Sequence, residues 1–478
     1  LFVLFNLFSL YMLFDFFNLF VLFCIFFLLF ILFVLLSLMG CDSFVDVETP
    51  NSQLTGLTVF EDRTTANAAL IDIYSKLRDT GLLNGLTTGS AVGMGLYADE
   101  LTYYGTTDDN ISFIFNNTLL PTTSIVSQLW NESYQQIYCA NAVIYGCQNS
   151  TGLSTSDKNQ FIGEALFVRA LVHSYLTNLY GDVPYITTTD YEVNRLATRM
   201  PTSEVYNNII ADLQQAIALL PEAYFAPERV RPNRSTASAL LARVYLYNGN
   251  WAEASNAASA VLNNAEYVWE TDIDKIFLKD CTATIWQFSP KLSGNNADEG
   301  SVFVFQTGPP PFVGLRAELY SSFANDDLRK SHWIATVTDG SNTWYHANKY
   351  KQNTNTGTSV EYSIVFRLAE QYLIRAEARA RQGELSNAKQ DLDMVRSLAG
   401  LPNTTANTEA EIIEAVQQER RYELFTEYGH RFFDLKRNGA LNTVLPIVKL
   451  GWNSTDVHWP IPETELLANP NLTQNPGY

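Results

Sequence analysis

Aromatic side chains in two irregular stretches are the residues of this 478-residue chain best suited to do chemistry. Residues 86–125 and 263–365 are rich in Gly, Thr, Asn and aromatics. The first holds Tyr97, Tyr103, Tyr104, Phe113 and Phe115, and the second Phe312, Trp333, Trp344 and Tyr345. An aromatic ring offers an apolar face to the C–H face of a sugar, and Asn, Asp, Gln or Arg neighbours answer the hydroxyls. Long irregular segments in a compact protein are commonly its working surfaces. The chemistry on offer is recognition of a polar, uncharged polymer. Trp333 follows the Asp327-Leu328-Arg329 turn and alternates with polar neighbours, so it reads instead as a strand residue in the core.

Groups for breaking bonds are scarce. The chain lacks a G-x-S-x-G elbow, a Walker loop, an H-E-x-x-H pair and a Cys/His ligand cluster. His173, His332, His346, His430 and His458 stand apart in sequence. Asp99 and Glu100 precede Tyr103, and Asp108 and Asp109 follow it. Such carboxylates serve glycosidases or hold calcium, but they are too common for proximity alone to carry weight. No catalytic residue, metal or other cofactor is expected; a structural calcium ion is the one group these acids would suit.

Charge narrows the partners. The formal net charge is −19, and removing the leader, whose only charge is Asp15, leaves −18. Nucleic acid needs a basic face and is excluded on that ground; a neutral ligand such as a glycan fits. Cys139 and Cys147 lie eight apart on an expected helix, ~12 Å along its axis and too far to bridge, so with Cys281 they read as buried fillers.

The irregular stretches must be positioned by helices. Between Pro201 and Pro221, Val205, Tyr206, Ile209, Ile210, Leu213, Ile217 and Leu220 form one stripe, with Thr202 or Ser203 expected as N-cap. Phe161–Tyr180 is apolar nearly all round and predicts a buried central helix. Two helix–turn–helix units repeat at an offset of 134: Ala242, Gly249, Trp251, Ala254 and Val261 match Ala376, Gly383, Leu385, Ala388 and Val395. Gly ends the first helix, a bulky residue plugs the turn, and Ala permits close approach. The units are tetratricopeptide-like but far apart in the chain. Short β-like runs are expected at SVFVF (301–305) and TATIWQF (282–288).

Residues 1–40 are almost wholly Leu, Phe, Val and Ile, and Phe16–Met39 alone is 24 residues, enough to cross a bilayer core of ~30 Å. The run ends in Leu38-Met39-Gly40-Cys41, which resembles a bacterial lipobox. In that reading residues 1–40 are removed, with the true signal starting inside the apolar run, and Cys41 becomes the lipidated first residue. The alternative is a retained membrane anchor. Residues 41–60 read as an acidic tether, with Asp42, Asp46 and Glu48 beside the anchor.

Six segments in order resemble the signatures of the SusD/RagB family. They are Leu129–Ile144, Gly163–Ile186 with its Leu-Tyr-Gly-Asp-Val-Pro turn, Arg231–Ala254, Val365–Leu385, Glu419–Gly439 and the tail HWPIPETELLANPNLTQNPGY from His458. The resemblance implies a mainly α, SusD-like fold: tetratricopeptide-like helix pairs as scaffold, with long loops and short β-hairpins. Residues 61–262 would form an N-terminal helical region and 263–478 a C-terminal region carrying a variable ligand-binding insert at 263–365. It further implies an outer-membrane, surface-facing lipoprotein that binds an oligosaccharide and delivers it to a SusC-like TonB-dependent transporter. Members place stacking aromatics in an early loop and in the variable segment, and Tyr103, Tyr104, Trp344 and Tyr345 occupy those places. The signature residues themselves read as structure: Asp182 and Pro184 as a turn, Trp130 as packing, and Glu419, Arg420, Glu423, Arg431, Asp434 and Arg437 as an internal charge network. A RagB-like peptide binder and a helical glycoside hydrolase are the alternatives.

Overall fold

The apolar run at Phe161–Tyr180 becomes the buried end of a helix, Thr155–Tyr180, in the computed structural model, which describes residues 2–38, 56 and 58–478. Ser154 caps it by accepting from the Asp157 amide, and Gly181 closes it at φ 75°. Around it the helices pack in a continuous array, each on the next: Arg63–Asp79, Ser124–Asn149, Thr155–Tyr180, Thr202–Leu219, Arg234–Asn248, Trp251–Leu262, Leu368–Arg381 and Leu385–Leu398. The two repeated hairpins, distant in sequence, are therefore neighbours: Trp251–Leu262 packs directly on Leu368–Arg381. Ala242, Ala254, Ala376 and Ala388 are fully buried at these contacts, and Gly249 and Gly383 turn at φ 78° and 80°. The fold is mainly α, and residues 56–478 pack as one unit.

Charged residues inside these helices act as clamps between them. Arg169 grips Asp212 through two bonds of 2.7 and 2.6 Å, and Arg231 grips Glu164 at 2.5 and 2.8 Å. Arg243 holds Glu370 at 2.6 and 2.8 Å, joining the first hairpin to the second across the intervening insert. Two-pronged Arg–carboxylate geometry fixes orientation as well as distance, so these pairs set the register of the stack.

The insert leaves and re-enters the array through a two-stranded ladder. Strand β2 (Thr284–Phe288) pairs antiparallel with β6 (Ser363–Arg367), which runs directly into the Leu368 helix. A second sheet has the order β1-β3-β5-β4, from β1 (Leu101–Tyr103), β3 (Val313–Leu315), β5 (Thr343–Ala347) and β4 (Ile334–Thr338). It unites the early irregular stretch with the insert.

Three local expectations are corrected. SVFVF is not a strand: Asp298–Phe303 is a short helix with Asp298 and Glu299 in its first turn and Val302 and Phe303 buried. Acidic residues there favour the helix dipole, which outweighs the β preference of Val and Phe. Trp333 is buried in the core but lies just before β4, its indole donating to the Ile273 carbonyl at 3.2 Å. Neither Thr202 nor Ser203 caps its own helix. Asp182, from the Gly-Asp-Val-Pro turn, accepts from the Thr202 amide at 2.8 Å and its hydroxyl at 2.9 Å.

In the N-terminal unit, Phe2–Leu38 is one helix whose Leu10–Phe33 stretch of 24 residues is long and apolar enough to cross a membrane. Cys41, Gly40 and the acidic residues Asp42, Asp46 and Glu48 lie outside the described residues.

Candidate functional site

Strand register decides which aromatics face where. Leu101 and Tyr103 pair with Leu315 and Val313, and Leu315 pairs with Tyr345. Paired residues project to one side of a sheet, and Leu101, Val313, Leu315 and Ile334 on that side are buried. Alternation then sends Tyr104, Phe312, Gly314 and Trp344 to the opposite, outward side. Tyr104 is 38% exposed and Phe312 51%, and Trp344 is half-buried.

The four predicted residues thus come together on one sheet but divide between its sides. Tyr103 donates its hydroxyl to Asp109 and is half-buried over Gly105. Burial, with that carboxylate, pushes the phenol up to about 12. Tyr345 stacks on Tyr320, the centroids 4.0 Å apart and the planes 16° off parallel. Both rings are engaged within the protein.

Tyr104 and Trp344 lie on strands separated by β3, and the register sets them four residues apart along the strand direction, which makes roughly 16 Å between their backbones at the usual strand spacings. Glycine makes the room at Trp344, whereas Tyr104 lies at ordinary contact distance from Gly314. A Cβ on Gly314 would lie 3.4 Å from the Tyr104 ring, and one on Gly308 would lie 2.2 Å from the Trp344 indole. The indole therefore rests on bare backbone. Its neighbour His346 is covered by Phe305, with centroids 4.8 Å apart. The outward face is a shelf, roofed at one end by residues 304–310 and open at Tyr104 and Phe312.

The other candidates are elsewhere. Tyr97 is fully buried, edge-on to Phe432, Trp452 and Trp459 at 5.3, 5.8 and 5.6 Å. Phe115 carries the Lys449 ammonium over its ring at 4.0 Å, and Phe113 packs on the core. Tyr320 escaped the sequence reading, since nothing in its surroundings marks a stacking partner for Tyr345.

The carboxylates have structural partners. Asp99 takes two bonds of 2.7 Å from Arg431 and one of 3.2 Å from Arg421. Burial raises its carboxyl, but the two guanidinium groups outweigh this and hold it below the usual range. Glu100 is buried, and burial with the Asp99 charge lifts it to about 7. Asp109 caps the Asn110–Asn116 helix, accepting from the Ser112 amide at 2.7 Å. Among the described residues no group of three His, Cys, Asp or Glu side chains is placed to hold a metal ion.

The architecture is a stack of helix pairs carrying a small sheet with aromatics on its outward side. A family model described as starch-binding and associating with the outer membrane matches residues 98–246, and the SusD family model matches residues 316–478. The chain belongs to the SusD family. SusD-like protein P25 of Formosa agariphila is 24% identical, over 92% of this chain and 97% of its own. A laminarin-binding SusD-like protein superposes with a TM-score of 0.73 at 26% identity, covering 87% of this chain and 99% of that one. Surface glycan-binding protein A of Bacteroides thetaiotaomicron, in complex with laminarihexaose, shares the fold at 19% identity and a TM-score of 0.73, over 86% and 99%.

Proposed function

We propose that this protein is a cell-surface lipoprotein that captures an oligosaccharide on the outward sheet face and delivers it to a SusC-like TonB-dependent outer-membrane transporter. The observation that carries the reading is the placement of Tyr104 and Trp344, from segments far apart in sequence, on the same side of one sheet, Tyr104 exposed and Trp344 half-buried. Rings held by backbone contacts lose little freedom on binding, so stacking of sugar rings there is favourable. Tyr103 and Tyr345 support the sheet from the other side. The laminarin-binding relative lends weight to a glycan as ligand. Cys41 is the lipidated residue, residues 41–60 the tether, and Leu10–Phe33 part of the removed signal. The protein binds and releases without turnover; delivery follows from differential affinity for ligand in open and transporter-closed states.

Native affinity electrophoresis against a panel of polysaccharides tests the ligand class. Retardation by at least one glycan is expected; no retardation by any, together with binding to a peptide digest, would move the protein to the peptide-binding alternative. Calorimetry on Tyr104→Ala and Trp344→Ala tests the site. Each should weaken the glycan by about 1–2 kcal/mol, roughly 5–30-fold. Unchanged affinity in both would place the ligand elsewhere.

A further inference from the structure

A second aromatic row lies on the helix Ser124–Asn149, away from the sheet. Trp130, Tyr134 and Tyr138 are spaced by four and so share one face, about 6 Å apart along the axis. Trp130 and Tyr134 have ring centroids 4.9 Å apart. With Pro184, Ala197 and the short C-terminal helix Glu463–Ala468 they line a cavity of about 240 Å³ that is open to solvent. None of its lining residues belongs to the four-stranded sheet.

The lining is two-natured. Aromatic faces form the floor: Trp130 is buried, Tyr134 is fixed by donating to the Pro184 carbonyl at 2.9 Å, and Tyr138 is 51% exposed. Amides and one carboxyl form the rim. Asn131 is exposed, and Asn194 donates to the Thr188 carbonyl at 2.9 Å, which leaves its own oxygen to accept. Glu465 takes a hydrogen bond from the Trp130 indole, and burial raises its carboxyl above the ordinary value. No Lys or Arg lines the cavity. Nearby Arg199 is committed to the Asp182 and Thr473 carbonyls at 2.7 and 2.8 Å.

A peptide carboxyl terminus would find no cation here, and a purely apolar ligand would make no use of the amide rim. Apolar faces bordered by amides and one carboxyl suit a pyranose ring, whose hydroxyls both donate and accept. The volume lies below the roughly 300–1,000 Å³ of pockets for drug-sized ligands, which matches a single sugar unit.

We propose that the Trp130–Tyr134–Tyr138 cavity is a second saccharide subsite, taking a single sugar ring at the end or branch of a glycan. The ligand class rests on the proposed function; the site does not. Binding at both sites would raise the effective concentration of glycan at the shelf.

The test uses methyl glycosides of glucose, galactose, mannose, xylose and N-acetylglucosamine, followed by saturation-transfer NMR on the folded full-length protein. The double variant Tyr104→Ala/Trp344→Ala removes the shelf. Tyr138→Ala and, separately, Ala197→Trp remove or fill the cavity, with circular dichroism and melting confirming the fold. At least one glycoside should still give signal with the shelf variant and lose at least 10-fold of it when Tyr138→Ala or Ala197→Trp is added. Loss of all signal in the shelf variant alone would overturn the second subsite while leaving the shelf reading intact. Signal that survives both cavity substitutions would overturn it equally. Polysaccharide retardation judges the shelf independently, so the two failures are distinguishable.

Discussion

The buried ionic seam of the C-terminal half and the outward sheet face are both assembled from distant segments, yet one is closed and the other open. In the seam, Arg367 bonds Glu427 at 2.9 and 2.8 Å and Glu423 at 2.5 Å, while Arg329 takes Asp327 at 3.0 and 2.8 Å and Glu423 at 3.0 Å. Arg437 links Asp434 at 2.8 Å to Glu377 at 2.7 Å. Lys349 caps the Glu423 and Phe425 carbonyls, each at 2.8 Å. On the sheet face, Tyr104 is exposed and Trp344 half-buried, its indole packed on the Gly308 backbone. Residues that satisfy one another hold a family's fold; residues left unsatisfied decide what a member binds.

The largest expected effect comes from removing the buried C-terminal tail. Truncation before His458 removes Trp459 and Ile461, both fully buried, and Asn475, which donates to the Tyr180 and Trp459 carbonyls at 2.8 and 2.7 Å. The truncated protein should lose cooperative thermal unfolding; an unchanged melting curve would show that the tail merely decorates the core. Next, Arg367→Ala leaves Glu423 to Arg329 and Glu427 to Lys349 in the interior and should cost about 3–5 kcal/mol in urea unfolding. A loss below 1 kcal/mol would mean the seam is not a structural lock.

A smaller effect carries a pH signature. Burial lifts the Glu299 carboxyl to about 7 from its ordinary value of 4.5. The folded state then keeps a proton that the unfolded chain releases near 4.5. The resulting stability is fully present below pH 4.5 and is lost as pH rises to about 7. Glu299→Gln should therefore gain on wild type across that window, by on the order of 2–3 kcal/mol; a flat difference in melting temperature between pH 4.5 and 8 would contradict it. The smallest change in stability, and the sharpest test of the comparison, is Gly308→Ala. Its methyl would displace the Trp344 indole, so glycan affinity should fall about as far as in Trp344→Ala while unfolding shifts by less than about 1 kcal/mol. Equal losses of stability and affinity would mean the open face is part of the core after all.

Helices were legible where the pattern is local. The stripe from Val205 to Leu220 and the run to Tyr180 needed only apolar spacing, and both end as the sequence suggests. The charge network around Glu423 and Asp434 was also legible, from charges recurring at helical spacing. What escaped were contacts between segments. Asp182 capping a helix twenty residues on leaves no local mark, since any turn Asp looks alike in sequence. Nor did Tyr103 and Tyr104 reveal their different sides, because the sides depend on pairing with β3, which lies beyond position 310. Trp130 read correctly as packing, but the cavity beside it is walled by residues from four separate stretches.

By itself, then, the sequence determined the helices, their order, the turn glycines and the family, because hydrophobic period and capping chemistry act over a few residues. The tertiary structure alone decided that two distant hairpins stack as neighbours, that the insert is tied off by β2 and β6, and that Tyr104 and Trp344 share an open face. Each of these rests on strand register or on helix contact between remote segments. A one-residue shift in such a pairing would turn every side chain over, and nothing in the local pattern of either partner records it.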